Sequence, residues 1–206
     1  MVDHKVSVFI DSCVWDLLFS SGVNLATALP RDRFSVCMTK QVYDFEIAAL
    51  AAKKQSLKKY IDQQVFEFGI EIKSFFGCVS YDDKPGFRRR TGGCSEGEMV
   101  TYESGILVQE FEKLHKQREQ GSGLFGNEAD ASMAIRCLMG SVVITAESRD
   151  GKGPLQVAAS RGGKVIFLPN NFDFTQCSLR NLVDAQSSAL GVSTLRLPEN
   201  CDELTD

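Results

Sequence analysis

Four carboxylates stand out by their surroundings: Asp11, Glu46, Asp130 and Glu147. Asp11 closes residues 4–10 (HKVSVFI), a run of β-branched and aromatic side chains. Glu147 lies just past the apolar run of residues 141–145 (SVVIT). The other two fall inside helix-like segments. An i, i+3, i+4, i+7 template started at Val42 selects Phe45, Glu46 and Ala49, and the same template on residues 127–139 selects Asp130, Ala131, Ala134, Ile135 and Leu138, which turns both acids inward. An inward carboxylate is costly unless paired or metal-bound. Four that converge could be compensated by Mg²⁺ or Mn²⁺, hard cations that take oxygen ligands. Singly, each has a plainer role: Asp11 as a helix cap, Glu46 tipped to solvent, Asp130 as a first-turn acid favoured by the helix dipole, Glu147 as a loop acid. The coincidence of all four argues for a shared site.

Convergence requires a particular scaffold. Residues 4–10 read as a strand buried on both faces, residues 13–19 as the start of a helix, 30–32 as a turn and 34–39 (FSVCMT) as a second strand. Residues 41–60 read as one helix with Lys53, Lys54, Lys58 and Lys59 mostly outward. Residues 65–80 alternate partly, as a helix end or a small hairpin would. Residues 81–97 hold four glycines and a proline and read as a mobile loop. Residues 98–119 are again helix-like, and 120–126 break that pattern. The last third is clearest: a helix over 127–139 with Asn127 as N-cap, a strand over 141–145, a short helix over 153–161 with Pro154 in its first turn, a stop at Gly162–Gly163, and a strand over 164–168 (KVIFL). Strand, helix, strand at this spacing is a βαβ unit, hence parallel strands and a right-handed crossover. In a parallel sheet, positions just past the carboxyl ends of neighbouring strands open into one crevice, where Asp11 and Glu147 would meet. The expected fold is α/β, a three-layer α/β/α sandwich around a central parallel sheet. It would span residues 1–175 with an inserted helical and loop segment near 65–123, and residues 176–206 would pack on it and fray at the end.

Bulk properties narrow the classes of function. A formal net charge of −4 argues against a binder that holds nucleic acid by charge alone. It leaves room for an enzyme that meets phosphates through metal ions, since the carboxylates holding the metal count against the net charge. The seven cysteines are scattered without a Cys-x-x-Cys pair, and the two histidines cannot build a His-rich site; buried reduced thiols are expected. No apolar run approaches the roughly 20 residues of a membrane span. Residues 1–5 pass directly into a strand without signal-peptide architecture, so a cytoplasmic protein with no membrane partner is expected.

In this order and setting, the motifs resemble those of the PIN-domain nucleases. VSVFIDSCVWD resembles that family's first motif, a strand ending in Asp. TKQVYDFEIAAL resembles the second, with Glu46 in the matching place. NEADASMAIRC resembles the third, an Asp followed by Ala opening a helix of small residues, and sets Asp130 there. VVITAES resembles the fourth, Thr-x-acid after a strand, and matches Thr145 and Glu147. The likeness covers residues 4–60 and 124–170. Two departures stand out. The fourth acid is Glu rather than the usual Asp, with Asp150 as a substitute and Glu128 as a helper, and the stretch from Glu46 to Asp130 is longer than in small toxin members of the family.

The resemblance implies Mg²⁺- or Mn²⁺-dependent hydrolysis of phosphodiester bonds, chiefly in RNA. Asp11 and Asp130 would contact metal, Glu46 would hold a ligand or a metal-bound water, and Glu147 would bind a second metal or orient the attacking water. Thr145 would hydrogen-bond that shell. Arg88, Arg89 and Arg90, with Lys84 and Phe87, form the most basic patch and would meet the substrate backbone; Arg149 and Lys152 are the next candidates. A homodimer and an inhibitory, antitoxin-like protein partner are compatible with the family. Among other readings, a phosphohydrolase with an aspartyl nucleophile would want a second Asp where Cys13 stands. A nucleotide-binding domain would want glycine patterns that are missing after Asp11. A catalytically degenerate PIN-like module binding RNA or a protein partner is the main alternative.

Overall fold

The computed structural model describes residues 5–51, 53–74, 102–113 and 127–188. Five strands form one parallel sheet: β1 (Val6–Ile10), β2 (Phe34–Thr39), β3 (Glu71–Lys73), β4 (Val142–Thr145) and β5 (Lys164–Phe167). Their spatial order is β3-β2-β1-β4-β5. The chain therefore builds outward from β1 in one direction, returns, and builds outward in the other from β4. The central strands carry the apolar runs: Val8, Phe9, Ile10, Val142, Val143, Ile144, Val165 and Ile166 are all buried, each burial contributing about 1.5–3 kcal/mol before entropy is counted. β1 pairs with β2 through Val6–Phe34 to Phe9–Cys37 and with β4 through Val8–Val142 to Ile10–Ile144.

Right-handed crossovers set the layers. On one face lie α1 (Val14–Ser20), α2 (Leu25–Ala28), a π-helical segment over Val42–Ile47, α3 (Ala48–Ala51) and α4 (Gln55–Phe68). On the other lie α5 (Tyr102–Glu112), α6 (Glu128–Leu138) and α7 (Pro154–Ser160). Contacts follow this division, α4 against α1 and α2, and α6 against α5 and α7. The result is a three-layer α/β/α arrangement. A last helix, α8 (Leu179–Ser188), packs on β4 and β5 through Leu182 and Val183. α6 is buried along nearly its whole length, because Ala129, Ala131, Ser132 and Ala134 let it approach both the sheet and its helical neighbours. Gly163 reports the same tightness: a Cβ there would stand 2.6 Å from Cys137 Sγ.

Three expectations change. The single helix over residues 41–60 is instead a π-helical segment, the short α3, and a separate α4 beginning at Gln55. The i→i+5 pitch of a π-helix puts Val42 and Ile47 on the buried face, leaving Phe45 and Glu46 half-buried and Ala49 exposed. Residues 65–73, expected within an inserted segment near 65–123, instead finish α4 at Phe68 and form β3 of the sheet itself. Gly69, at φ 60°, supplies the left-handed residue that ends α4 and turns the chain into β3. Asn127 precedes α6 at φ 67° without a side-chain capping bond; it acts as one of the few side chains tolerated in that conformation. The loop expected over residues 81–97 and the fraying end of the chain lie outside the described residues. No helix among the described residues is long and apolar enough to cross a membrane.

Candidate functional site

The order of the strands reverses between β1 and β4, and in open α/β sheets the crevice beyond the carboxyl ends at such a switch point is where ligands bind. Asp11 follows β1 there, and Thr145 ends β4. Asp11 is buried, with 3% of its surface exposed, and is held from both strands. The Ser12 amide donates to its Oδ1 at 2.6 Å, while the Thr145 hydroxyl at 2.7 Å and the Cys13 thiol at 3.0 Å donate to its Oδ2. The Asp11 amide in turn donates to the Ile144 carbonyl at 3.0 Å, extending the β1–β4 ladder by one rung.

Thr145 and Cys13 are the two ties across this seam. The Thr145 hydroxyl accepts the Glu147 amide at 3.1 Å while donating to Asp11. Cys13 Sγ accepts the Ala146 amide at 3.1 Å while donating to Asp11. Burial first, and the charge of Asp11 second, push the Cys13 thiol up from its ordinary pKa. It therefore stays protonated and serves as a donor, not as a nucleophile.

Glu147 is half-buried two residues beyond β4. Burial raises its pKa, the negative charge of Asp11 raises it further, and a hydrogen bond from Gln156 opposes both. Gln156 Nε2 lies 3.3 Å from Glu147 Oε2 and 2.7 Å from the Ser148 carbonyl. The negative charge of Asp11 thus works against ionisation of Glu147 at one crevice.

Topology brings the remaining acids to the same edge. The π-helical segment starts three residues after β2 ends, so Glu46 lies on the carboxyl side of the sheet. α6 leads back to the amino end of β4, so its first turn, with Asp130 and the buried Glu128, also begins at the carboxyl edge. Glu46 and Asp130 are both half-buried. Among the described residues, however, no three His, Cys, Asp or Glu side chains form a group placed to hold a metal ion. The charge of Asp11 acts on Glu147, and Glu46 and Asp130 lie at the same edge of the sheet. Of the two candidates for the fourth acid, Glu147 is the one in the crevice, while Asp150 is exposed in the following turn. Arg149 and Lys152 are exposed in the same β4–α7 loop. Arg88, Arg89 and Arg90 lie outside the described residues.

Carboxylate oxygens, oriented here by a hydroxyl and an amide, are the donor type a hard divalent cation takes. Sequence reasoning missed Cys13 and Gln156. The first looked like a core thiol, and the second has no motif, only its position in the first turn of the helix after the Glu147 loop. Set against known proteins, the chain matches no family model, no curated protein and no solved structure.

Proposed function

We propose that this protein is a divalent-metal-dependent nuclease that hydrolyses phosphodiester bonds in RNA. The observation that carries the reading is the pair Asp11 and Glu147, set across the β1–β4 switch point with the charge of one disfavouring ionisation of the other. The resemblance of the four motifs to PIN-domain nucleases supplies the substrate class. Asp11, Asp130, Glu46 and Glu147 would hold Mg²⁺ or Mn²⁺, which supplies an activated water and stabilises charge on the phosphoryl group. Asp11 is fixed by Thr145 and Cys13, so it presents its oxygens without reorganising. Glu147 orients the attacking water from the other side of the seam. Arg149 and Lys152, exposed beside it, neutralise backbone phosphates.

A second reading is a non-catalytic module that binds RNA or a protein partner. It is favoured by the three donors that already engage Asp11 and by the lack of a three-ligand group among the described residues. Cleavage of labelled RNA and DNA by purified protein with Mg²⁺, Mn²⁺ or chelator separates the two. The nuclease reading expects metal-dependent RNA cleavage that falls at least about a hundredfold in the Asp11→Asn, Asp130→Asn double variant, since loss of ligands exceeds the 10–100-fold typical of losing their outer partners. RNA binding by folded protein, with no cleavage under any metal, would support the module instead.

A further inference from the structure

The loop that carries Glu147 is folded around one side chain. Gln156 sits in the first turn of α7, and its amide nitrogen reaches back to bridge Glu147 Oε2 and the Ser148 carbonyl. Two glycines make the room. A Cβ on Gly153 would stand 2.7 Å from Gln156 Oε1, and one on Gly151 would stand 3.0 Å from Gln156 Nε2. Gln156 Oε1 is itself buried and meets no hydrogen-bond donor. The Ser148 carbonyl fixes which way round the amide lies, because only the nitrogen can donate to it. A buried acceptor left unsatisfied destabilises the fold, so this side chain is not there for stability alone. Its other end is what the loop is arranged to use.

We infer that Gln156 is a positioning residue for Glu147: its amide, boxed in by Gly151 and Gly153, aims the Glu147 carboxylate at the crevice shared with Asp11. This rests on the reading of Glu147 as a metal-holding acid. An apolar side chain of similar length at 156 would leave the carboxylate free to swing toward solvent with the exposed loop of residues 148–152. A side chain at 153 would reach the same result from the other side, by displacing the amide. A metal ion at the crevice then loses a correctly oriented ligand while Asp11, held by β1 and β4, stays in place.

The test is Mn²⁺ binding to the full chain, followed by the electron paramagnetic resonance of free Mn²⁺, with thermal unfolding of the metal-free protein alongside. Gln156→Met and Gly153→Ala should each weaken Mn²⁺ binding by roughly tenfold, in the range typical of an outer partner of a metal ligand, and Glu147→Gln should weaken it by at least as much. In Gln156→Met the melting temperature without metal should hold or rise, because the unsatisfied Oε1 is gone. A lowered melting temperature with unchanged Mn²⁺ affinity would make Gln156 a structural residue and overturn the inference, while leaving the metal reading intact. Wild-type protein that binds no Mn²⁺, or binds it equally well as Glu147→Gln, would overturn the metal role of Glu147 and this inference with it.

Discussion

Two glutamates of the sheet face opposite electrostatic company. Glu71 opens β3 at the outer edge of the sheet, where the Ser35 hydroxyl donates to it at 2.6 Å and Lys73 pairs with it at 2.6 Å. Those hydrogen bonds hold its carboxyl below the ordinary value. Glu147 lies beyond the carboxyl edge, beside another carboxylate and partly out of water, and its pKa is raised. A fold has little difficulty pairing an acid with a lysine or an arginine, as it does at Glu71, Asp16 and Asp184. At the switch point the same sheet instead sets Glu147 beside Asp11, whose negative charge opposes its ionisation.

The largest expected effect on this comparison comes from Thr145→Val. The change keeps the shape and removes the hydroxyl that joins Asp11 to Glu147. It leaves the Asp11 carboxylate and the Glu147 amide each short of a partner, so urea unfolding should register a loss of about 1–3 kcal/mol. Ser35→Ala, the matching hydroxyl deletion beside Glu71, should cost less than about 1 kcal/mol, because its pair is exposed. Equal losses would erase the distinction between the two edges.

A smaller effect separates the edges by pH. In metal-free protein, the raised Glu147 favours the folded state while it is protonated. Its contribution is present below the ordinary glutamate value and is lost as pH rises through its folded one. Glu71 is lowered, so its contribution is present above the ordinary value and is lost as pH falls through its folded one. Stability measured from acid to neutral pH should therefore lose one slope in Glu147→Gln and the opposite slope in Glu71→Gln. Slopes of the same sign would mean that neither burial nor the charge of Asp11 raises Glu147 in the folded protein. The smallest effect belongs to Lys54→Ala, which breaks the exposed pair with Asp16 and should change the unfolding free energy by less than about 1 kcal/mol.

Much of this arrangement is legible in the residues. VSVFI, FSVCMT, VVIT and KVIF are β-branched runs ending at turn signals, and all four are strands. β3 is only three residues long, with no residue fully buried, so hydrophobic pattern could not lift it out of the segment assigned to an insertion. The π-helical segment escaped for a different reason: its residues are ordinary helix formers, and nothing in composition distinguishes an i→i+5 pitch. Among site residues, Asp11, Thr145 and Glu147 could be placed because strand ends are predictable. The roles of Cys13 and Gln156 depend on where the β4–α7 loop and the second strand of the seam come to lie, which is tertiary information.

The β1–β4 register has a consequence for synthesis. β1 leaves the ribosome well before β4, the partner that begins at Val142. Until then its β4-facing edge is an unpaired row of peptide groups, the kind of surface that recruits other chains. Pairing across so large a separation is also slow, because loop closure must precede its reward. Asp11 and Thr145, which meet only when that last central pairing zips, make the crevice one of the final parts of the molecule to exist.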